Sequence, residues 1–260
     1  MLTRLFGSRQ DRIKLFDTRE LANSQIEDGY ESQILVNSVI RKTQIFERAI
    51  KKDSIRLDLN SLRILVAITL LHPINRKIKI LDLGGAAGFH YLVAKKLTKN
   101  EYDWHVIETP LMCETANHSK LKNNELTFCS LANLNQKQFD LLFSSSSLQY
   151  MDNPLEVLKN ILTLKPKFLF ITRTPMSNAQ SFFYVQESLL SSNGPGPLPK
   201  DLNNQMVRYP ISILPKSEYL NLITEHYSVI AEVDEGVWGP TIRGEKIKMF
   251  GFIAKLNTLV

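Results

Sequence analysis

The sequence predicts a doubly wound α/β fold with a mostly parallel sheet. Seven short apolar runs rich in β-branched and aromatic residues follow Lys77, and helical stretches separate most of them. Strands that alternate with helices are joined by crossovers, and crossovers place neighbouring strands parallel. Before residue 74 the apolar residues recur at helical spacing instead. We therefore expect a helical segment over 1–74, acting as a cap or lid, and an α/β domain over 75–260.

The order of elements can be assigned within the α/β domain. Helices are predicted from about Gly88 to Leu97, from near Asp152 and from near Ser217, and the last two strands are expected to form a hairpin at one edge. Residues 176–215, with NGPGPLP near the centre, are predicted to be a loop-rich insertion. The seven predicted strands are KIKILDLG, YDWHVIE, ELTFC, FDLLFSSS, KFLFITRTP, YSVIAEVDEG and KMFGFIAKL.

The composition limits the classes of function that the protein can have. The chain has 260 residues, 43% of them hydrophobic, with a formal net charge of +6 and two cysteines. Two cysteines provide no disulfide framework, and we identify no group of residues with metal-ligand spacing. The opening MLTRLFGSRQDRIKLF lacks the apolar core of a secretory signal, and no apolar run approaches the roughly 20 residues that span a bilayer. A cytoplasmic protein is expected.

A glycine-rich turn joins the first predicted strand to its helix in ILDLGGAAGFH. Gly84, Gly85 and Gly88 suit a sharp reversal at which the backbone approaches a ligand closely. A dinucleotide fingerprint would place its first glycine at Leu83, and the G-K-[ST] ending of a phosphate loop is missing. What remains is the pattern D-x-G-x-x-x-G, which starts at Asp82.

This pattern resembles the first motif of class I S-adenosylmethionine-dependent methyltransferases. The resemblance implies a Rossmann-like, mostly parallel seven-stranded sheet with an N-terminal helical extension, in which the turn, Ala86 included, wraps the methionine part of the cofactor. It places Asp82 near the ammonium group of the cofactor, where an anion is favourable. Glu108 ends the second strand about twenty residues after the turn, where family members bind the ribose hydroxyls.

The later motifs extend the resemblance over roughly residues 77 to 256. The fourth strand starts at Asp140 and ends in small polar residues, among them Ser144, which the family places beside the methyl group. Two departures are visible. The third strand ends in FCSLANL without an acidic residue for the adenine amino group, so Ser130 or a backbone amide must make that contact. After the fourth strand, SSSS stands where NPPY or DPPY marks certain N-methyltransferases.

A narrower resemblance concerns one group of bacterial methyltransferases. LDLGGAAGFHY, the Glu-Thr-Pro after the second strand, SSSLQYM and ITRTP together are similar to that group. Its members are often associated with surface-polysaccharide synthesis, which implies a glycan acceptor.

Candidate acceptor-binding residues follow the carboxyl ends of strands, where open α/β sheets bind ligands. Gln149, Tyr150 and Arg173 have such positions, and Arg173 suits an anionic group unless a nearby acid pairs with it. Phe182 and Tyr184, with Phe183 between them, suit the lining of a sugar or lipid site, or else the buried face of a helix.

Two further residues complete the candidates. Tyr30 in the lid segment is predicted to reach the methionine carboxylate, or else to pack between helices. His90 starts the helix after the glycine turn, where a packed or capping role is as well supported as one facing the cofactor. No histidine stands out as a general base, so the catalytic residues are left unassigned.

The sequence therefore predicts an S-adenosylmethionine-dependent methyltransferase acting on a small molecule or glycan, by O-methylation of a sugar. Two alternatives stay open. An RNA methyltransferase would use the basic residues, although these are spread out and no RNA-binding module is recognisable. A non-catalytic scaffold of the same fold would be expected to lack an intact cofactor motif.

Overall fold

The computed structural model describes residues 13–27, 29–52, 57–71, 76–134 and 138–257, the side chains of 237–240 excepted. No helix among these residues is long and apolar enough to cross a membrane. The helices are α1 (Arg19–Asn23), α2 (Gln33–Lys52), α3 (Leu59–Thr69), α4 (Phe89–Leu97), α5 (Pro110–Asn117), α6 (Pro154–Leu162) and α7 (Lys216–Thr224). The strands are β1 (Leu15–Phe16), β2 (Ile78–Leu83), β3 (Tyr102–Ile107), β4 (Leu126–Cys129), β5 (Leu141–Ser145), β6 (Phe168–Ser177), β7 (Phe182–Leu189), β8 (Met206–Pro215), β9 (Tyr227–Ile242) and β10 (Glu245–Leu256).

The seven predicted strands form one sheet in the order β4-β3-β2-β5-β6-β10-β9. The pairs from β4 to β6 are all parallel, and β10 is antiparallel to both of its neighbours. The chain moves outward from β2 through β3 to β4 and then returns to place β5 on the other side of β2. Ligands bind at such a switch point, beyond the carboxyl ends of the strands. The fold is Rossmann-like, as predicted, and the C-terminal hairpin is confirmed.

Helices cover both faces of the sheet, which explains why its central strands are apolar on both sides. Helices α6 and α7 cover one face with buried residues such as Leu158 and Tyr219. Helices α2 to α5 cover the other face, and Val36 and Ile64 belong to the same hydrophobic core as Ile80 of β2. Because α2 and α3 share this core, they form a packed layer of the fold. The cap or lid predicted for 1–74 stays a prediction.

The predicted loop-rich insertion contains two long strands instead. Strands β7 and β8 pair antiparallel, β1 adds to β7, and β8 runs beside the end of β6 through Met176 and Leu214. Alternate residues of the hairpin are buried, for example Phe182 and Tyr184, which is the two-residue period of a strand. The prediction of a loop was wrong because the glycines and prolines of NGPGPLP hid this alternation on either side.

The turn between β7 and β8 is held against α2. The buried Lys42 ammonium of α2 donates hydrogen bonds to the carbonyls of Ser191, at 2.7 Å, and Asn193. Arg41 makes a bidentate pair with Asp201 at 2.6 and 2.8 Å. The hairpin is therefore fixed to the helical layer at its far end.

Candidate active site at the carboxyl edge of the sheet

Three residues with unusual backbone conformation mark the carboxyl edge of the sheet. Ala86 follows β2, Ser146 follows β5, and Arg173 comes directly after the part of β6 that pairs with β5. Their φ angles are 49°, 57° and 56°, values that residues other than glycine seldom adopt. Such conformations persist only where the surrounding structure holds them, and they concentrate at functional sites. The strain therefore coincides with the edge at which this fold class binds ligands.

Packing within the chain explains the glycines of the turn after β2. Gly84 has φ of 69°, and a Cβ there would lie 2.2 Å from the Cβ of Ser147. A Cβ at Gly85 would lie 2.4 Å from Asp82 Oδ2, and one at Gly88 would lie 2.8 Å from a methyl carbon of Leu126. Room for a ligand stays a prediction, and the structure adds a second reason for these glycines, since Cβ atoms at Gly84 and Gly85 would collide inside the protein and Gly88 has φ of 82°.

Asp82 lies fully buried beneath this turn. Trp104 Nε1 donates to Asp82 Oδ2 at 3.1 Å, and His90 Nδ1 lies 3.1 Å from both carboxylate oxygens. Asp82 therefore supports the turn from within, and its contact with a cofactor ammonium stays a prediction. His90 is accounted for as a packed partner of Asp82, the structural alternative raised for it above.

Glu108 connects the turn to the end of β3. Its carboxylate accepts the N–H of Ala86 at 2.9 Å and the N–H of Thr109 at 3.1 Å. Burial raises the pKa of Glu108 to about 7, and the charges of Asp82 and Glu31 act in the same direction, while the two N–H groups oppose the shift. A carboxylate has about four lone-pair sites, so two acceptor positions are left for a ligand.

The two serines predicted for the cofactor site have different surroundings. Ser130 directly follows β4 and is partly exposed at the edge of the sheet. Ser144 is buried, with its hydroxyl 2.7 Å from that of Ser147, which donates to the carbonyl of Leu83 at 2.8 Å. The Ser144 hydroxyl thus helps to hold the glycine turn, and its contact with a cofactor stays a prediction.

A short 3-10 turn, Leu148–Tyr150, follows β5. Gln149 is fully buried there, its Nε2 donates to Ser146 Oγ at 2.9 Å, and its Oε1 has no hydrogen-bond partner among the described residues. Arg19 of α1, which the sequence did not single out, donates to the carbonyl oxygens of Gln149 and Tyr150 at 3.3 and 2.6 Å. Helix α1 is thereby fixed to the turn that follows β5.

Three tyrosines from distant parts of the chain meet beside this turn. The ring of Tyr30 stacks on that of Tyr209 with centroids 4.5 Å apart and contacts Tyr150 at 4.9 Å. The Tyr150 hydroxyl donates to Gln186 at 3.3 Å. Burial raises the pKa of Tyr30 well above its ordinary value, so the hydroxyl stays protonated. Tyr30 is thus a packed residue close to Gln149, and its contact with a cofactor stays a prediction.

Phe182 and Tyr184 are buried and present no free aromatic surface at the carboxyl edge. They are 4% and 6% exposed and pack with Ile211, Ile213 and other residues in a small core under the β7–β8 hairpin. Their assignment to acceptor binding is therefore corrected, because hydrophobic packing accounts for both. Phe183, on the opposite face of β7, is only partly buried.

Arg173 is the candidate whose surroundings most favour a ligand. Its guanidinium has no ion pair or hydrogen bond among the residues that the structure describes, so the salt-bridge alternative finds no support there. Its backbone N–H donates to Glu235 at 2.8 Å, while the Glu235 carboxylate pairs with Arg63. Burial and the charge of Arg63 lower the pKa of Arg173. Sequence reasoning missed Arg63 and Glu235, which lie far from Arg173 along the chain.

Comparisons with known proteins find similarity in structure alone. No family model and no curated protein sequence matches the chain. A S-adenosylmethionine-dependent methyltransferase from Clostridium acetobutylicum aligns at 12% identity over 84% of this chain and 98% of its own, with a TM-score of 0.49. The N-terminal domain of EvdMO1, with SAH and D-fucose, aligns at 11% identity over 84% and 97%, with a TM-score of 0.46. The glycopeptide N-methyltransferase MtfA, complexed with S-adenosyl-L-methionine, aligns at 13% identity over 78% and 100%, with a TM-score of 0.44. Because the identities and TM-scores are this low, the assignment of the fold rests on the strand order given above.

Proposed function

We propose that the protein is a S-adenosylmethionine-dependent methyltransferase that acts on a hydroxyl group of a small molecule or glycan. The observation that carries the proposal is the hydrogen bond between Glu108 and the turn after β2. A carboxylate at the end of β3 accepts the Ala86 N–H of a glycine turn at the switch point of a Rossmann-like sheet. A turn without a phosphate-binding signature, next to a diol-binding carboxylate, suits a nucleoside cofactor that carries no phosphate.

The residues present fit this cofactor. Glu108 would hold the ribose hydroxyls, the backbone of 84–88 would lie along the methionine part, and Ser130 would face the adenine. When bound, the cofactor supplies a methyl group that is already activated on a sulfonium. The protein then has to position an acceptor in line with the breaking bond and to exclude water. Tyr30 and Arg19, which contact the turn that follows β5, would form the part of the cap that excludes water.

The acceptor would lie between the Leu148–Tyr150 turn and Arg173. The unpartnered Gln149 Oε1 is a hydrogen-bond acceptor suited to a sugar hydroxyl, and leaving it unpaired in a buried position is unfavourable. Arg173 would pair with an anionic group on the same molecule. A sugar acid is the acceptor class that meets both requirements, in keeping with the resemblance to enzymes of surface-polysaccharide synthesis.

Thermal stability with and without ligand tests the cofactor class. S-adenosylmethionine and its demethylated product should each raise the melting temperature in a saturable manner, because a ligand that binds only the folded state stabilises it. NAD serves as the matched control, since the turn lacks the dinucleotide fingerprint. A response to NAD alone would replace the methyltransferase proposal by a dehydrogenase. No response to any of them would favour the scaffold alternative, and retention on RNA that weakens with salt would favour the RNA alternative.

Exchange of Arg173 for lysine should affect the acceptor and spare the cofactor. Lysine keeps the charge but loses the bidentate geometry, so we expect KM for an anionic acceptor to rise about tenfold with cofactor affinity nearly unchanged. Steady-state kinetics and calorimetry on the same preparation measure the two effects. A fall in cofactor affinity with unchanged KM would instead assign Arg173 to the cofactor site or to the fold.

Exchange of Tyr30 for phenylalanine tests the proposed cap. The ring contacts with Tyr150 and Tyr209 survive this change, so stability should fall only by the value of the lost hydroxyl hydrogen bonds to these two tyrosines, about 1 kcal/mol. If the hydroxyl reaches the methionine carboxylate, cofactor affinity should fall a few-fold, as for loss of one hydrogen bond to a charged group. Tyr209→Phe is the control, because it removes a hydrogen-bond partner of the Tyr30 hydroxyl and leaves that hydroxyl in place. Loss of stability without loss of affinity would show that Tyr30 only packs.

A further inference from the structure

A buried carboxylate beside the candidate acceptor site receives hydrogen bonds from two distant elements of the fold. Glu235 of β9 has a side chain that is only 3% exposed. Its Oε1 accepts the Thr172 hydroxyl and the Arg173 N–H of β6, and its Oε2 accepts the Arg63 guanidinium of α3. The single negative charge of Glu235 is therefore already matched by the positive charge of Arg63.

The guanidinium of Arg173 lies close to this pair without joining it. The other acid near Arg173 is Asp58, whose Oδ1 is engaged in capping α3 through the N–H and hydroxyl of Ser61, at 2.8 and 2.6 Å. Glu235 thus has its charged partner elsewhere, and the charge of Asp58 acts on Arg173 without a direct ion pair. Tyr150 is uncharged because burial raises its pKa to about 12. A largely enclosed cation without a direct counter-ion is unfavourable, and an added anion would relieve that cost.

The backbone at Arg173 is held in a strained form by the same carboxylate. The register between β6 and β10 shifts at Gly251, opposite Thr172 and Arg173, and Arg173 has φ of 56°. A Cβ at Gly251 would lie 2.8 Å from the carbonyl oxygen of Ile171, so the strands approach closely here. The Glu235 bond to the Arg173 N–H stabilises this bulge, and bulges commonly redirect a side chain next to an active site.

We propose that Arg173 is the centre of an oxyanion subsite, and that Arg63 keeps it available by engaging Glu235. Arg63 is then a positioning residue, while Arg173 contacts the ligand. The ligand chemistry is a carboxylate or a phosphate monoester carried by the acceptor. This inference rests on the proposed function in that it names the anionic end of the acceptor, but the binding step itself requires no cofactor.

Anion binding to the protein without cofactor tests the subsite. We would titrate the wild-type chain at low ionic strength with glucuronate, inorganic phosphate and, as the neutral control, glucose, and follow binding by calorimetry. Glucuronate or phosphate should bind saturably and glucose should not, and the stronger of the two anions identifies the group. Arg173→Gln should weaken binding about tenfold or more, as expected for a charge-assisted bidentate contact. Arg208→Gln, at an exposed arginine paired with Glu187, should leave it unchanged.

Variants of Arg63 test the inference more sharply than the Arg173 variant does. In Arg63→Gln the freed Glu235 carboxylate should pair with Arg173, so anion binding should fall about tenfold although Arg173 is intact. The double variant Arg63→Gln/Glu235→Gln should recover most of the binding, since Asp58, the acid that remains near Arg173, stays engaged in capping α3. Arg63→Lys keeps the pair and should stay within a few-fold of wild type, which provides a second test if Arg63→Gln does not fold by circular dichroism.

Several outcomes would overturn the inference. These are a wild-type chain that binds neither anion, an Arg173→Gln variant that binds as well as wild type, an Arg208→Gln variant that loses binding equally, or a folded double variant without recovery. Failure of the proposed function gives a different pattern, because anion binding would persist while S-adenosylmethionine fails to bind. Failure of the subsite alone leaves cofactor binding intact.

Discussion

Replacing Glu108 by alanine should weaken the binding of S-adenosylmethionine by about 1–3 kcal/mol, the value of a charge-assisted hydrogen-bond pair. The structure adds a second reason for the loss. The same carboxylate accepts the N–H groups of Ala86 and Thr109, so its removal also frees the turn that would lie along the cofactor. Calorimetry checks the affinity, and Glu101→Ala, at an exposed acid before β3, is the control.

The raised pKa of Glu108 makes this binding depend on pH. In the proposed complex two ribose hydroxyls would donate to this carboxylate, so binding would require its ionised form. Burial raises the pKa of the Glu108 carboxyl to about 7 in the ligand-free protein. Affinity should therefore fall as pH is lowered through about 7 and level off above it. Glu108→Gln should bind weakly at every pH and show no such step. A wild-type affinity that is constant from pH 6 to pH 8, about one unit on either side of this pKa, would contradict the ribose assignment.

The same group should affect the stability of the ligand-free protein with a defined sign. Its folded pKa lies above its ordinary value of 4.5, so the folded state binds the proton more tightly than the unfolded state. Its contribution to stability is fully present below about pH 4.5 and is lost as pH rises towards 7. Comparison of denaturant curves for wild type and Glu108→Gln across this range isolates the contribution.

The parts of the site that the sequence could predict are those formed locally. The glycine turn and Glu108 follow directly from strand ends, and strand ends are readable from apolar runs. Glu235, Arg63 and Arg19 were missed because their roles depend on contacts between elements more than a hundred residues apart. The hairpin from β7 to β8 was missed because turn-forming residues at its centre dominated the interpretation.

Gly84 has a structural explanation that the sequence did not provide. The sequence analysis explained Gly84 by the close approach of the backbone to a ligand. In the structure the added Cβ would first meet Ser147, 2.2 Å away, in a backbone conformation with φ of 69°. Gly84→Val should therefore abolish cofactor binding and also lower stability, since strain of about 1–3 kcal/mol adds to overpacking of similar size.

Alanine variants separate these two costs. Gly196 has φ of 72°, and nothing lies within 4 Å of a Cβ built there, so Gly196→Ala should show the backbone cost alone, about 1 kcal/mol. Gly84→Ala should cost about 3 kcal/mol or more because the contact with Ser147 is added. Chemical denaturation measures both values. Equal losses would mean that the turn moves away from Ser147 freely.

A second substitution then identifies the contact. Ser147→Gly removes the colliding Cβ together with the hydroxyl that bonds Ser144 and Leu83, so alone it should destabilise the turn. In the double variant Gly84→Ala/Ser147→Gly the collision is absent, and the loss should be smaller than the sum of the two single losses by about 1 kcal/mol or more. Strict additivity would place the cost of Gly84→Ala in the backbone. If the double variant regains stability but not S-adenosylmethionine binding, the added methyl group occupies ligand space after all, and both explanations of Gly84 hold together.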